Sequence, residues 1–95
     1  SWSLLEAMSC GCAVVGSATA PVQEVIDHGR NGLLVDFFDQ KELAEAIAKL
    51  LTNRNMAEEL GKAARSTVLQ RFRLAACVQQ QLALIDLVGN KIISR

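Results

Sequence analysis

At 95 residues the chain holds at most one small domain with a limited core. Hydrophobic residues make up 51%, aromatics 4%, and Tyr is absent, which excludes a disordered tail and points to a core of Leu, Ile, Val and Ala. Ten basic residues balance ten acidic ones and no basic stripe stands out, so attraction to nucleic acid has no electrostatic support.

The three Cys form no disulfide framework, because Cys10 and Cys12 are too close for an ordinary bridge and no second ligand pair suggests zinc. They read as free, buried thiols in a reducing cytoplasm. No apolar run approaches the ~20 residues that span a bilayer, and no signal peptide is visible, so no membrane contact is evident. The chain opens inside a helix without a starting Met, and we read residues 1–95 as a single partial domain of a larger protein.

The first stretch, Ser1–Gly16, predicts a short helix, a glycine turn and a buried strand. Ser3 and Glu6 have the spacing of an N-terminal capping box. Leu4, Leu5 and Met8 share one face of that helix. Gly11 is suited to the helix stop, and Ala13–Gly16 reads as a strand covered on both faces. After the small-residue loop Ser17–Ala20, Pro21 opens a short helix with Val22, Val25 and Ile26 inward and Glu24 near its positive end. His28–Gly32 is turn punctuation, and Leu33–Val35 is a second strand, completing a βαβ unit.

Asp39 with Glu42 predicts a helix start, and Leu43, Ile47, Leu50 and Leu51 give the helical repeat that follows. Asn55 with Glu58 predicts the next cap, with Met56, Leu60, Ala64 and Val68 as the inner stripe. Arg71–Arg73 reads as a joint before a last helix carrying Leu74, Val78, Leu82 and Ile85, which Gly89-Asn90 ends. Two strands against about five helices leave apolar faces uncovered, so self-association is expected.

In a doubly wound sheet, ligands bind at the carboxyl ends of the strands and phosphates favour helix N-termini. The start of the first helix and the Ser17–Ala20 loop both qualify. The two oxygens of Glu6 suit a vicinal diol such as a ribose, although spacing alone favours simple helix capping. His28 has no Ser, Cys or carboxylate spaced to complete a triad. Trp2 reads as a packing residue, or an aromatic at a cleft edge. No phosphate-binding glycine motif or zinc-protease motif is present.

Together, Ser3-Leu4-Leu5-Glu6-Ala7-Met8, Gly11, Ala13-Val14-Val15, Glu24, Gly29, Gly32-Leu33-Leu34-Val35 and Asp39 resemble the C-terminal, donor-binding domain of retaining GT-B glycosyltransferases of the "glycosyl transferases group 1" family. The match is close over Ser1–Asp39; the later helices agree in order and length. The resemblance implies an α/β fold, the C-terminal part of a Rossmann-like GT-B domain. It implies a parent enzyme that moves a sugar from a nucleotide-sugar donor to an acceptor with retention of configuration. It also implies that Glu6 is the second Glu of a paired-Glu motif and binds the donor ribose, with the backbone around Ser3, Leu4 and Leu5 facing the diphosphate. The first Glu of that motif would precede Ser1. No metal is implied, and the isolated segment would be inactive. Two departures stand out: Ala18-Thr19-Ala20-Pro21 replaces a glycine-containing loop, and Gln23 stands where Pro is common. The alternatives are a nucleotide-binding module without transferase activity and a helical interaction fragment.

Overall fold

The computed structural model describes the backbone of residues 2–93 and the side chains of residues 3–83. Ser1, the side chains of Trp2 and Ile85, and the C-terminal Ser94 and Arg95 lie outside the described residues. The elements in order are α1 (Trp2–Ser9), β1 (Val15–Ser17), α2 (Ala20–Gln23), β2 (Leu33–Val35), α3 (Gln40–Thr52) and α4 (Arg54–Ile93).

β1 and β2 pair in parallel, with Val15 opposite Leu33 and Ser17 opposite Val35. The expected strand–helix–strand unit is therefore present, although β1 lies two residues later than the apolar run Ala13-Val14 placed its start. Pairing decides the boundary: Val14 O accepts from Leu33 N at 2.9 Å and Ala18 N donates to Val35 O at 2.9 Å, so the ladder is centred on Gly16. Leu34 N points to the outer side of β2, where His28 Nδ1 accepts its proton at 2.9 Å.

Alternation along the strands divides the core in two. On one face Met8 of α1, Ile26, and Ala64 and Val68 of α4 are buried, with Leu4, Leu5, Val14, Val22 and Leu34 packed against them. On the other face Leu33, Val35, Ala46 of α3 and Leu60 of α4 are buried, joined by Val15, Leu43, Leu50 and Met56. α4 thus serves both faces. It passes from one to the other beside the turn that links α1 to β1. There Gly61 lies so close to Gly11 that a Cβ at position 61 would fall inside the van der Waals envelope of the Gly11 carbonyl oxygen. Gly11 itself has φ +77°, a conformation that favours glycine, and ends α1 as its position predicts.

The turn before β2 is tied to α4 by Asn31, which is fully buried. Its Oδ1 accepts from Asp27 N at 2.7 Å, and its Nδ2 donates to Val25 O and Thr67 Oγ1, each at 3.0 Å. Thr67 Oγ1 in turn donates to Ala63 O at 2.9 Å within α4.

Several expectations are corrected. Ser3 lies inside α1 rather than at its cap, because the helix already includes Trp2. α2 is a single turn, and Glu24 is its C-cap, not a first-turn residue at the positive end. Asp39 does cap α3, accepting from Glu42 N at 3.1 Å. The inward face of α3, however, runs through Leu43, Ala46 and Leu50, leaving Ile47 and Leu51 exposed. The sheet face is narrow, and small Ala46 lets the helix approach it. Asn53, not Asn55, caps α4, its Oδ1 accepting from Met56 N at 3.1 Å. No joint forms at Arg71–Arg73, and α4 runs for 40 residues through Gly89-Asn90, so there are four helices rather than five. Arg and Phe carry no helix-breaking chemistry, and a lone Gly-Asn pair does not terminate a helix whose neighbours favour it. Cys10, Cys12 and Cys77 are free but exposed, not buried.

Two substitutions test these contacts. Gly61→Ala should destabilise the fold by roughly 1–3 kcal/mol, the scale of overpacking, despite the ~1 kcal/mol that Ala gains over Gly in an open helix; urea unfolding followed by circular dichroism reads the change. Asn31→Ala leaves buried or part-buried partners unpaired and should cost about 2–3 kcal/mol in the same assay.

Candidate functional site at the carboxyl end of the sheet

α1 leads through the Cys10–Val14 turn into β1, so its first turn lies at the carboxyl end of the strands. That is where ligands of open parallel sheets bind. The first turn of α1 contains no acidic side chain, so no carboxylate of its own offsets the positive end of the helix.

The four residues singled out in the sequence divide by role within this turn. Ser3 and Glu6 are exposed, whereas Leu4 and Leu5 are half-buried and pack against the core formed with Met8. The leucine side chains hold α1 against the domain. Glu6 has its carbonyl engaged within the helix end, accepting from Ser9 Oγ at 2.7 Å and Cys10 N at 3.1 Å. Its carboxylate has no hydrogen-bond or ion-pair partner among the described residues. Ser3 does not occupy the cap, so the reciprocal capping interaction favoured by the spacing does not occur between these two side chains.

The loop after β1 reaches the same end of the sheet. Thr19 is the N-cap of α2 in extended conformation without a side-chain cap bond, and Thr19 N donates to Ser17 O at 2.7 Å. One turn of helix gives little dipole, so this loop contributes shape rather than charge. The starts of α1 and α2 are neighbours: Leu4, Leu5, Pro21 and Val22, with Val68 and Phe72 of α4, line an apolar groove of about 270 Å³. Arg71 at its rim donates from Nη2 to Glu24 O, closing the C-terminal end of α2.

His28 takes no part in this arrangement. It is exposed, and its Nδ1 serves the outer edge of β2. Among the described residues, no three His, Cys, Asp or Glu side chains converge, and no helix is long and apolar enough to cross a membrane. Sequence reasoning missed Asn31, Gly61 and Arg71. A buried Asn inside turn punctuation and a Gly in mid-helix were the available signals for the first two. Arg71 left none, since its partner is a backbone carbonyl 47 residues away.

The family described as glycosyl transferases group 1 matches residues 1–67. N-acetyl-alpha-D-glucosaminyl L-malate synthase from Bacillus anthracis is 35% identical over 77 residues, covering 81% of this chain and 20% of that protein. Alpha-maltose-1-phosphate synthase from Mycolicibacterium smegmatis is 37% identical over 84 residues, covering 82% of this chain and 22% of that protein. Among solved structures, sucrose-phosphate synthase from Thermosynechococcus elongatus, a GT-B glycosyltransferase, superimposes with a TM-score of 0.70 at 30% identity, over 88% of this chain and 23% of that one. The chain thus spans about a fifth of the length of these relatives. The sequence match, the parallel βαβ unit and the superposition agree, and the chain belongs to the glycosyl transferases group 1 family, with the α/β architecture of a GT-B domain.

Proposed function

We propose that the chain is the donor-binding part of a retaining glycosyltransferase that moves a sugar from a nucleotide sugar to an acceptor. The observation that carries this reading is the exposed carboxylate of Glu6, without a partner among the described residues, on a helix whose first turn lies at the carboxyl end of the sheet. Glu6 accepts hydrogen bonds from the two ribose hydroxyls of the donor. The backbone N–H groups around Ser3, Leu4 and Leu5 meet the diphosphate, with the α1 dipole assisting. The role of Glu6 is to orient the donor rather than to transfer a proton.

No metal is required in this scheme. The diphosphate is neutralised by the helix terminus together with basic side chains outside residues 1–95. The acceptor-binding half of the cleft also lies outside this chain, since the relatives are some five times longer. No nucleic acid or membrane partner is proposed. Three exposed, unpaired thiols favour a reducing compartment, and we place the protein in the cytoplasm.

Two measurements check the reading. UDP-, GDP- and ADP-sugars are titrated by calorimetry into the complete protein that carries this segment. One base should bind selectively, and Glu6→Ala should weaken that binding by about 1–3 kcal/mol, the scale of a lost charge-assisted hydrogen bond. Absence of binding to every sugar nucleotide would refute the donor-site assignment. The 95-residue chain alone should show no sugar transfer, and turnover by it in a radiolabelled-donor assay would show that the segment needs no second half.

A further inference from the structure

His28 is the one His of the chain, and the fold gives it a task that an exposed turn does not by itself predict. Gly29, at φ +82°, folds the chain back so that His28 lies beside Gly32, and Gly29 N donates to Gly32 O at 2.8 Å. The imidazole thereby reaches over the start of β2, where Leu34 N donates to its Nδ1 at 2.9 Å.

Adjacent amides of β2 point to opposite sides and end on acceptors of different kinds. Leu33 N donates inward to Val14 O at 2.9 Å, a carbonyl that no ordinary pH alters. Leu34 N donates outward to a ring that titrates. A backbone N–H can only donate, so Nδ1 must carry a lone pair and the ring proton must sit on Nε2. A doubly protonated imidazole has no acceptor left, and its Nδ1–H would face the Leu34 N–H head-on. Histidine is the side chain that ordinarily makes this change between about pH 5 and 8.

The charges around the ring offer the protonated form a different place. His28 and Leu34 share a hollow of about 280 Å³ with Glu42, Glu45 and Lys49 of α3. None of these three forms an ion pair among the described residues. In the turn that carries His28, Asp27 and Arg30 are engaged with each other, Oδ2 to Nε at 2.9 Å. The hollow therefore sets two carboxylates against one ammonium, and its field favours a cation over a neutral ring. All three α3 side chains are exposed, so the attraction is modest, on the scale of one surface ion pair. The competing contact is a single hydrogen bond, of similar size.

We propose that His28 is a pH-operated latch on β2. In its neutral form it holds the Leu34 amide. Once protonated, it releases that amide and turns to the carboxylates of Glu42 and Glu45 across the hollow. The change is confined to the outer side of β2, because the inward bond from Leu33 to Val14 involves no titrating group.

The test is hydrogen exchange in the complete protein that carries this segment, read at single residues by mass spectrometry between about pH 5 and 8. Exchange of the His28 Cε1 proton gives the titration of the ring in the same samples. Relative to the unfolded peptide at each pH, protection of the Leu34 amide should fall about tenfold as the ring protonates, the scale of one lost hydrogen bond. The Leu33 amide should stay protected throughout. In His28→Ala the Leu34 amide should be weakly protected at every pH, with Leu33 unchanged. Should that variant unfold, seen as loss of Leu33 protection, the titration of the unaltered protein still decides. In the double variant Glu42→Gln, Glu45→Gln the fall should move to lower pH, since the protonated ring has lost its alternative partners. In the unaltered protein, Leu34 protection that stays constant through the ring titration, or that is lost together with Leu33, would overturn the proposal. So would a midpoint that the double variant leaves in place.

Discussion

The close approach of α4 to the α1–β1 turn is the constraint on which the rest of the structure depends. A two-stranded sheet offers little area, and each of its faces alone would bury too few side chains to hold a domain. Here a single helix supplies Leu60 to one face and Ala64 and Val68 to the other. It can do so only by passing the sheet's amino end at backbone contact distance. Gly61 provides that passage, and Gly11 turns the chain out of its way with φ +77°. The two glycines thereby join two small cores into one cooperative unit.

The candidate donor site inherits its geometry from this arrangement. α1 is pinned through Met8, Leu4 and Leu5 on its inner face, which leaves Ser3 and Glu6 outward. Asn31 and Thr67 then fix the turn between α2 and β2 to the same α4, and Arg71 holds the carboxyl end of α2. The groups that would meet a nucleotide sit on a helix, while the loop beside them is braced from behind. A site so supported needs little reorganisation on binding.

Much of this was legible in the residues. The αβαβ order, the inner stripe Met56, Leu60, Ala64 and Val68, and the Asp39 cap follow from local spacing, because each depends on neighbours three or four residues away. The family was legible from the pattern around Glu6 and Gly32-Leu33-Leu34-Val35. What was not legible depends on contacts distant in sequence. The repeat predicted the α3 helix but not its inward face, because its four large apolar residues in thirteen fit more than one stripe, and the sheet chooses Ala46. The expected joint at Arg71–Arg73 has no local basis, since nothing there disfavours helix. The thiols looked buried by residue type, but the turn that carries Cys10 and Cys12 faces outward.

The contact between His28 and Leu34 gives the small sheet a direction. A strand edge is open to pairing wherever its N–H and C=O groups lack partners. On the outer side of β2 an imidazole already takes the Leu34 amide, 2.9 Å away, and stands in the path of any approaching strand. The outward-facing backbone of Val15 in β1 has no such guard among the described residues. The β2 margin thus carries a built-in obstacle at the Leu34 amide, whereas the β1 margin at Val15 carries none among the described residues.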